Sequence, residues 1–262
     1  MDLGFTEHHT VLVTGGSRGI GAAIVKSLAE EGVRDIRVVA REPDSLAALA
    51  SLIREDHGIE LGHVALDLST EAGRAQLSDV IPEVDVLVNN AGAIPQGGLV
   101  GADLTAWRQG WDLKVWGYLE LTKMALEAMT ARGSGVVLNI IGVSGERPDA
   151  TYVAGSAANA ALMTMTRAVG AYTLDQGVRV LGINPGPVET DRLVNALRDR
   201  AAQGLGDAER WQEYVEDYPG KRIATPEEVA HLATFLVSPR SAYTSGTVVT
   251  LDGGMAWRGR AL

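Results

Sequence analysis

The chain has 262 residues, 46% of them hydrophobic, a formal net charge of −10 and no cysteine. That length buries the core of one large α/β domain without requiring a second, and the lack of cysteine excludes disulfides, thiolate metal sites and a cysteine nucleophile. A negative balance with no basic block argues against nucleic acid or an anionic membrane surface as a partner, and no stretch approaches the ~20 apolar residues that span a bilayer.

The opening MDLGFTEHHT lacks the basic-then-apolar pattern of a signal peptide, so a cytoplasmic protein is expected. The five histidines (His8, His9, His57, His63, His231) are scattered without ligand spacing, and no metal site is expected. From there, short apolar runs alternate with longer amphipathic ones. TVLVTG (10–15), IRVVA (36–40), HVALD (63–67), VDVLVN (84–89), GVVLNII (135–141), VRVLGIN (178–184) and TVVTLD (247–252) read as buried strands. The intervening stretches, such as IGAAIVKSLAEEG and the long 103–129 segment, read as helices. This alternation predicts βαβ units and a parallel sheet covered on both faces. Ser69 or Thr70 is placed to start a helix, and Thr225, Pro226 and Glu228 form a capping-box pattern. The charged segment 190–222 interrupts the strand rhythm; it reads either as a lid over a site or as a surface helix pair. The whole chain is expected to form one domain.

VLVTGGSRGIGAAIV sets a glycine-rich turn between the first strand and a helix. Gly15, Gly19 and Gly21, spaced GxxxGxG after Thr14, let backbone approach a pyrophosphate, which the free N–H groups and dipole of the helix start attract. With NNAG (89–92), PGPVET (185–190) and LDGG (251–254) in the same order, the chain resembles the short-chain dehydrogenase/reductase family from about residue 10 to 254. The resemblance implies a Rossmann-type, doubly wound α/β fold with a seven-stranded sheet, a nicotinamide cofactor and a homo-oligomer, a dimer or 222 tetramer. It implies that Thr14, Gly15, Ser17, Arg18, Gly19, Ile20 and Gly21 lie along the pyrophosphate. Asp67 and Leu68 would meet the adenine, and Asn89, Ala91 and Gly92 the adenosine ribose side. Pro185, Gly186, Val188 and Thr190 would hold the nicotinamide end. For Asn89 a structural role in the sheet is an equally good reading.

Discrimination between NAD and NADP turns on the end of the second strand, where an acid would bond the ribose 2′-hydroxyl. Ala40 stands there, Arg41 follows, and Arg18 lies in the glycine turn. Guanidinium groups pair with a phosphate dianion, so NADP(H) is expected over NAD(H), with Glu42 as an opposing charge.

The family's chemistry uses a tyrosine as general acid/base, a lysine four residues later, an earlier serine, and an asparagine in an N-x-x-G pattern on the long helix. Tyr152 matches the tyrosine. Ser156 stands where the lysine would be, Gly142 falls at the serine's register, and Lys114 occupies the asparagine position three residues before Gly117. A cation near the phenol is needed because tyrosine ionises near ~10 and burial pushes it higher. Lys114 is therefore expected to replace the missing ammonium from the neighbouring helix, the alternative being a lysine turned to solvent. Ser144 is the nearest hydroxyl that can orient a substrate oxygen, the alternative being a turn serine. Arg147 and Arg192 near the mouth read as solvated loop charges or as attractors of an anionic substrate. The expected activity is interconversion of a carbonyl and a secondary alcohol on a small molecule by hydride transfer. A cofactor-binding protein without hydride transfer, serving as a redox sensor or assembly subunit, is the alternative, and a lyase or hydrolase on the same fold is a third reading.

Overall fold

A computed structural model describes residues 2–6 and 8–258. The seven apolar runs form the strands Thr10–Thr14 (β1), Asp35–Ala40 (β2), Gly62–Ala65 (β3), Val86–Asn89 (β4), Gly135–Ile140 (β5), Val178–Pro185 (β6) and Val248–Leu251 (β7). They pair in parallel in the order β3-β2-β1-β4-β5-β6-β7. The Rossmann-type sheet expected from the sequence is present. β1 pairs with β2 on one side and β4 on the other, so the order reverses there and a crevice opens beyond the strand C-termini.

Side chains alternate across β1. Val11 and Val13 pack with Ile24 and Leu28 of Gly19–Glu30 (α1), Leu46 and Ile53 of Pro43–His57 (α2), and Val229 of Pro226–Val237 (α8). Leu12 faces the opposite way, onto Leu121, Ala125 and Met129 of Gly117–Arg132 (α5). β4 and β6 are buried along their whole length, as a sheet covered on both faces requires, whereas edge strand β3 is exposed throughout. A short helix, Glu71–Ala75 (α3), starts at Thr70, whose hydroxyl accepts from the Gly73 N–H at 3.0 Å. At α8 the capping box forms: Thr225 Oγ1 accepts from Glu228 N at 3.3 Å, and Glu228 accepts from Thr225 N at 2.9 Å.

The long 103–129 stretch is not one regular helix. Asp103 caps Leu104–Trp111 (α4) by accepting from Thr105 N and Ala106 N. A wide turn of π-helix over Asp112–Trp116 then joins α4 to α5. Such turns rotate the side chains they carry relative to a regular helix and recur at functional sites. This one carries Lys114.

Val153–Thr173 (α6) packs against the sheet through Leu162 and Met163, which meet Tyr118 and Ile141. The 190–222 segment begins with Asp191–Leu205 (α7) and continues in short 3₁₀ turns at Ala208–Tyr214 and Pro219–Lys221. It has a small core of its own, in which Leu197, Val215 and Ile223 pack with Trp211, Tyr214 and Tyr218.

Arg179 on β6 is buried and donates to the carbonyls of Leu236 (2.6 Å), Val237 (3.0 Å) and Ser238 (3.1 Å) at the end of α8. Burial lowers its pKa to about 10, so it stays charged at neutral pH. Arg179→Met would leave those carbonyls unpaired in the interior. We expect a loss of about 3 kcal/mol in urea unfolding, and a change below about 0.5 kcal/mol would show that water satisfies the carbonyls instead.

Candidate active site

The crevice at the β1/β4 divergence is a cleft of about 720 Å³ running from the glycine turn to Tyr152. At one end Gly15 and Gly19 hold the turn with φ of +63° and +54°, conformations that glycine adopts without strain. A Cβ at Gly21 would collide with the Gly15 carbonyl oxygen, so α1 packs on the turn only because that residue is glycine. Arg18, the residue before α1, makes no side-chain cap, which leaves the first N–H groups of the helix for a ligand in the cleft. Arg18 and Arg41 both line this end, with Ala40 at the strand terminus and Glu42 beside them. An uncapped helix start, a glycine cradle and two guanidinium groups fit a phosphorylated dinucleotide.

The sequence-predicted residues divide into wall and support. Gly15, Ser17, Arg18, Gly19, Ile20 and Arg41 line the cleft at the phosphate end. Leu68, Ala91 and Gly92 line its middle, while Pro185, Gly186, Val188 and Thr190 line the far side with Lys114 and Tyr152. Thr14, Gly21 and Asn89 are buried behind the wall, whereas exposed Asp67 and half-buried Ser144 lie outside the lining.

Thr14 is buried, its hydroxyl donating to Val88 O and accepting from Asn90 N (3.0 Å) and Ala91 N (3.2 Å). Asp67 accepts from the N–H and hydroxyl of Ser69, which hold its carboxyl below the usual range. Asn89 takes the structural alternative: it is fully buried and donates to Thr122 Oγ1 (3.1 Å) and to Asn139 Oδ1 (3.0 Å) across the β4–β5 register. The neighbour that does reach the cleft is Asn90, whose amide donates to Thr14 O and Gly15 O and so pins the glycine turn. The repeated Asn in NNAG was the signal available for it. Ser144 also takes its alternative, accepting from Asn159 Nδ2 at 2.8 Å away from the cleft wall.

Beside Tyr152, Gly142, Ser156 and Lys114 each have specific local partners. Gly142, on the cleft wall at the serine's register, has φ +137°, and a Cβ there would stand 2.8 Å from Asn159 Nδ2. The backbone is therefore built for glycine. Ser156 is buried and its hydroxyl accepts from Asp149 N at 3.0 Å, fastening the loop that leads into α6. Tyr152 pairs through its backbone with Gly97 after β4. Its ring folds back over Gly155, where a Cβ would collide with it.

Lys114 is half-buried. Its stem crosses Gly92, whose missing side chain leaves it room, and its amine donates to Ile141 O at 2.5 Å. Burial, and secondarily the Arg192 charge, lower its pKa to about 7. Arg192, in the first turn of α7, reaches across the cleft and donates to Gly92 O (3.3 Å) and Ile94 O (2.6 Å). Burial raises the Tyr152 pKa, and the charge of the nearby Arg192 guanidinium partly offsets that rise. The expectation from sequence assigns that task to Lys114, whose amine donates to Ile141 O. Arg192 is thus tied to the loop carbonyls although its side chain stays largely exposed. Arg147, also exposed, donates to Met255 O.

A family model described as enoyl-(acyl carrier protein) reductase matches residues 15–256. The 3-oxoacyl-[acyl-carrier-protein] reductase of Vibrio cholerae is 31% identical over 249 residues, covering 95% of this chain and 98% of that protein. The chain belongs to the short-chain dehydrogenase/reductase family of oxidoreductases. Another relative, the cis-4-hydroxycyclohexanecarboxylate dehydrogenase of Sinomonas cyclohexanicum, is 32% identical over 249 residues, with 93% and 94% of the two chains covered. The L-sorbose reductase of Gluconobacter frateurii, solved with NADPH and L-sorbose, superposes with a TM-score of 0.91 at 30% identity over 99% of this chain and 100% of that one. A variant of the actinorhodin polyketide ketoreductase, solved with NADPH, gives 0.89 at 28% identity, over 97% and 99%. Family membership thus extends across the cofactor end and the altered catalytic end alike. No helix among the described residues is long and apolar enough to cross a membrane.

Lys114 carries a cost that can be measured. In the unfolded chain its amine titrates near the ordinary lysine value, whereas in the fold it titrates at about 7. The penalty for holding it charged is complete below pH 7 and fades as pH rises toward the unfolded value. Lys114→Met is therefore expected to stabilise the protein by on the order of 3 kcal/mol at pH 6, and by distinctly less at pH 9, in thermal melts without ligand. A gain equal at both pH values, or a loss, would mean that the amine is not desolvated.

Proposed function

We propose that this protein is an NADP(H)-dependent oxidoreductase that interconverts a carbonyl and a secondary alcohol on a small molecule, with Tyr152 exchanging the proton. The observation that carries the reading is a single cleft lined by the glycine cradle at one end and by Tyr152, Lys114 and Arg192 at the other. The nicotinamide, when bound, supplies or accepts the hydride. Arg18 and Arg41 would meet the 2′-phosphate with charge-assisted hydrogen bonds, and the NADPH-bound relatives L-sorbose reductase and actinorhodin ketoreductase support that preference. Thr190, on the wall beside Pro185 and Gly186, would bond the carboxamide.

Tyr152 gives its phenolic proton to the carbonyl oxygen in reduction and recovers it in oxidation. With the serine position filled by Gly142 and Ser144 turned away, the same phenol also polarises the carbonyl. Lys114 has three donors and Ile141 O takes one; a ribose hydroxyl is the natural acceptor for another, so Lys114 would orient the nicotinamide end. The first turn of α7, from Thr190 to Ala196, walls the cleft and excludes water as a lid does. Ala157, Ala160 and Ala161 form an exposed strip of small side chains on α6, suited to close pairing with a second copy across a dyad.

One observation favours a non-catalytic cofactor-binding protein: the serine register holds a glycine and Ser156 is consumed in fastening a loop. The two readings separate in NADPH oxidation at 340 nm against ketones, aldehydes and diketones. The oxidoreductase reading expects turnover, with Tyr152→Phe losing at least about a hundredfold while binding NADPH as the parent does. NADPH binding without turnover across the panel, or a Tyr152→Phe variant as fast as the parent, would overturn it.

A further inference from the structure

Lysine at the position of Ser156 would bring a charge on the same helix face as Tyr152, one turn away. Ser156 brings none, and its hydroxyl is occupied by Asp149 N. We propose that Arg192, delivered by the first turn of the lid helix α7, is the positioning residue that holds a positive charge against the Tyr152 hydroxyl in place of that lysine. This deepens the reading of Tyr152 as the proton-exchanging group and rests on it for its catalytic consequence.

Three features bring the guanidinium and the phenol to the same stretch of the cleft, where Ile94 packs against the Tyr152 ring. Gly92 O and Ile94 O, on the wall facing the lid, accept two of its N–H groups. The same post-β4 loop continues to Gly97, which accepts from Val153 N and donates to Thr151 O, so it sets the Tyr152 backbone as well. The ring itself is held over Gly155. Arg192 and Tyr152 are thus anchored from one loop, one through its side chain and the other through its backbone, and both line the cleft. A guanidinium stays charged across the working pH range, whereas Lys114 titrates near neutrality and is drawn to Ile141 O. Only the arginine keeps its charge above pH 7.

The charged and titratable groups facing the phenol are few. Arg192 and Asp191 come from α7 and Lys114 from the π-turn, and all three line the cleft with it. Asp149 lies on the loop just before Tyr152, within reach of Tyr218 and turned to its own Thr151. Trp107 and Trp111, which pack with Tyr152 against the same apolar cluster, carry no charge. Because Arg192 rides on α7, displacing the lid would withdraw the cation from Tyr152, which ties the acidity of the phenol to lid closure.

The test needs no turnover. In protein labelled with ¹³Cζ-tyrosine, the Tyr152 signal is assigned by its loss in Tyr152→Phe and followed to the highest pH at which circular dichroism shows the fold intact. Removing an adjacent opposite charge shifts a titration by about one to three units. Arg192→Met is thus expected to raise the Tyr152 midpoint by one unit or more, reducing the ionised fraction at a given pH about tenfold. Arg192→Lys should recover at least half of that shift, and Lys114→Met should move the midpoint less than Arg192→Met does. A midpoint in Arg192→Met within 0.3 units of the parent, or a larger shift in Lys114→Met, would overturn the proposal. If Arg192→Met does not fold, the Arg192→Lys and Lys114→Met comparison alone decides it: the lysine variant must stay closer to the parent. A parent that reduces no carbonyl while Arg192→Met still shifts Tyr152 would defeat the oxidoreductase reading and leave this inference standing.

Discussion

The stretch from Gly92 to Gly97, just past the buried strand β4, is the constraint on which the catalytic end depends. Gly92 leaves room for the Lys114 stem, its carbonyl and that of Ile94 hold Arg192, and Gly97 fixes the backbone at Tyr152. Its start is fixed in turn by Thr14, whose hydroxyl takes the Asn90 and Ala91 N–H groups, and by the Asn90 amide, which secures the glycine turn. One short segment therefore connects the phosphate cradle, the lid and the phenol. Its backbone carbonyls and N–H groups have specific partners even though only Ile94 in it is buried.

Gly142 and Ser156 are both built into the fold around Tyr152. The residue four after Tyr152 secures a loop, and the residue at the serine register is a glycine with φ +137°. Neither position can be reverted simply, since a side chain at Gly142 would press on Asn159 and a lysine at Ser156 would lose the Asp149 contact. Positive charge instead enters the cleft from two other elements, the π-turn and the lid. Burial is the main reason Lys114 has given up much of its proton affinity, and the Arg192 charge across Gly92 adds to it. Sites of this kind trade stability for chemistry.

Much of the fold was legible. All seven apolar runs became strands of the one parallel sheet, because strands buried on both faces must be apolar throughout, and the Thr225 capping box formed as its spacing required. The phosphate cradle was legible for a related reason, since glycine spacing is a backbone requirement written directly in the sequence. What was not legible depended on side-chain direction. Asn89 and Asn90 differ by one residue, yet strand alternation sends the first into the β4–β5 interior and lets the second reach the cleft. Lys114 was found, but the π-turn that aims it at Ile141 O leaves no periodicity signal. Arg192 reads from sequence only as a charge near the mouth, because its reach to Gly92 O and Ile94 O depends on where α7 docks, a tertiary fact. Asn89 and Ser144 make the hydrogen bonds within the fold that their structural readings imply.

The central claim is that two cations divide the work of one missing lysine, Lys114 orienting the ribose and Arg192 acting on Tyr152. The most direct measurement is the NADPH dissociation constant, by calorimetry at pH 6.5, where the Lys114 amine is still mostly protonated, for the parent, Lys114→Met and Arg192→Met. Loss of one charge-assisted hydrogen bond predicts about a tenfold weakening for Lys114→Met, with Arg192→Met remaining within about threefold of the parent. A large loss in Arg192→Met with Lys114→Met unchanged would contradict the division and make Arg192 a cofactor ligand instead.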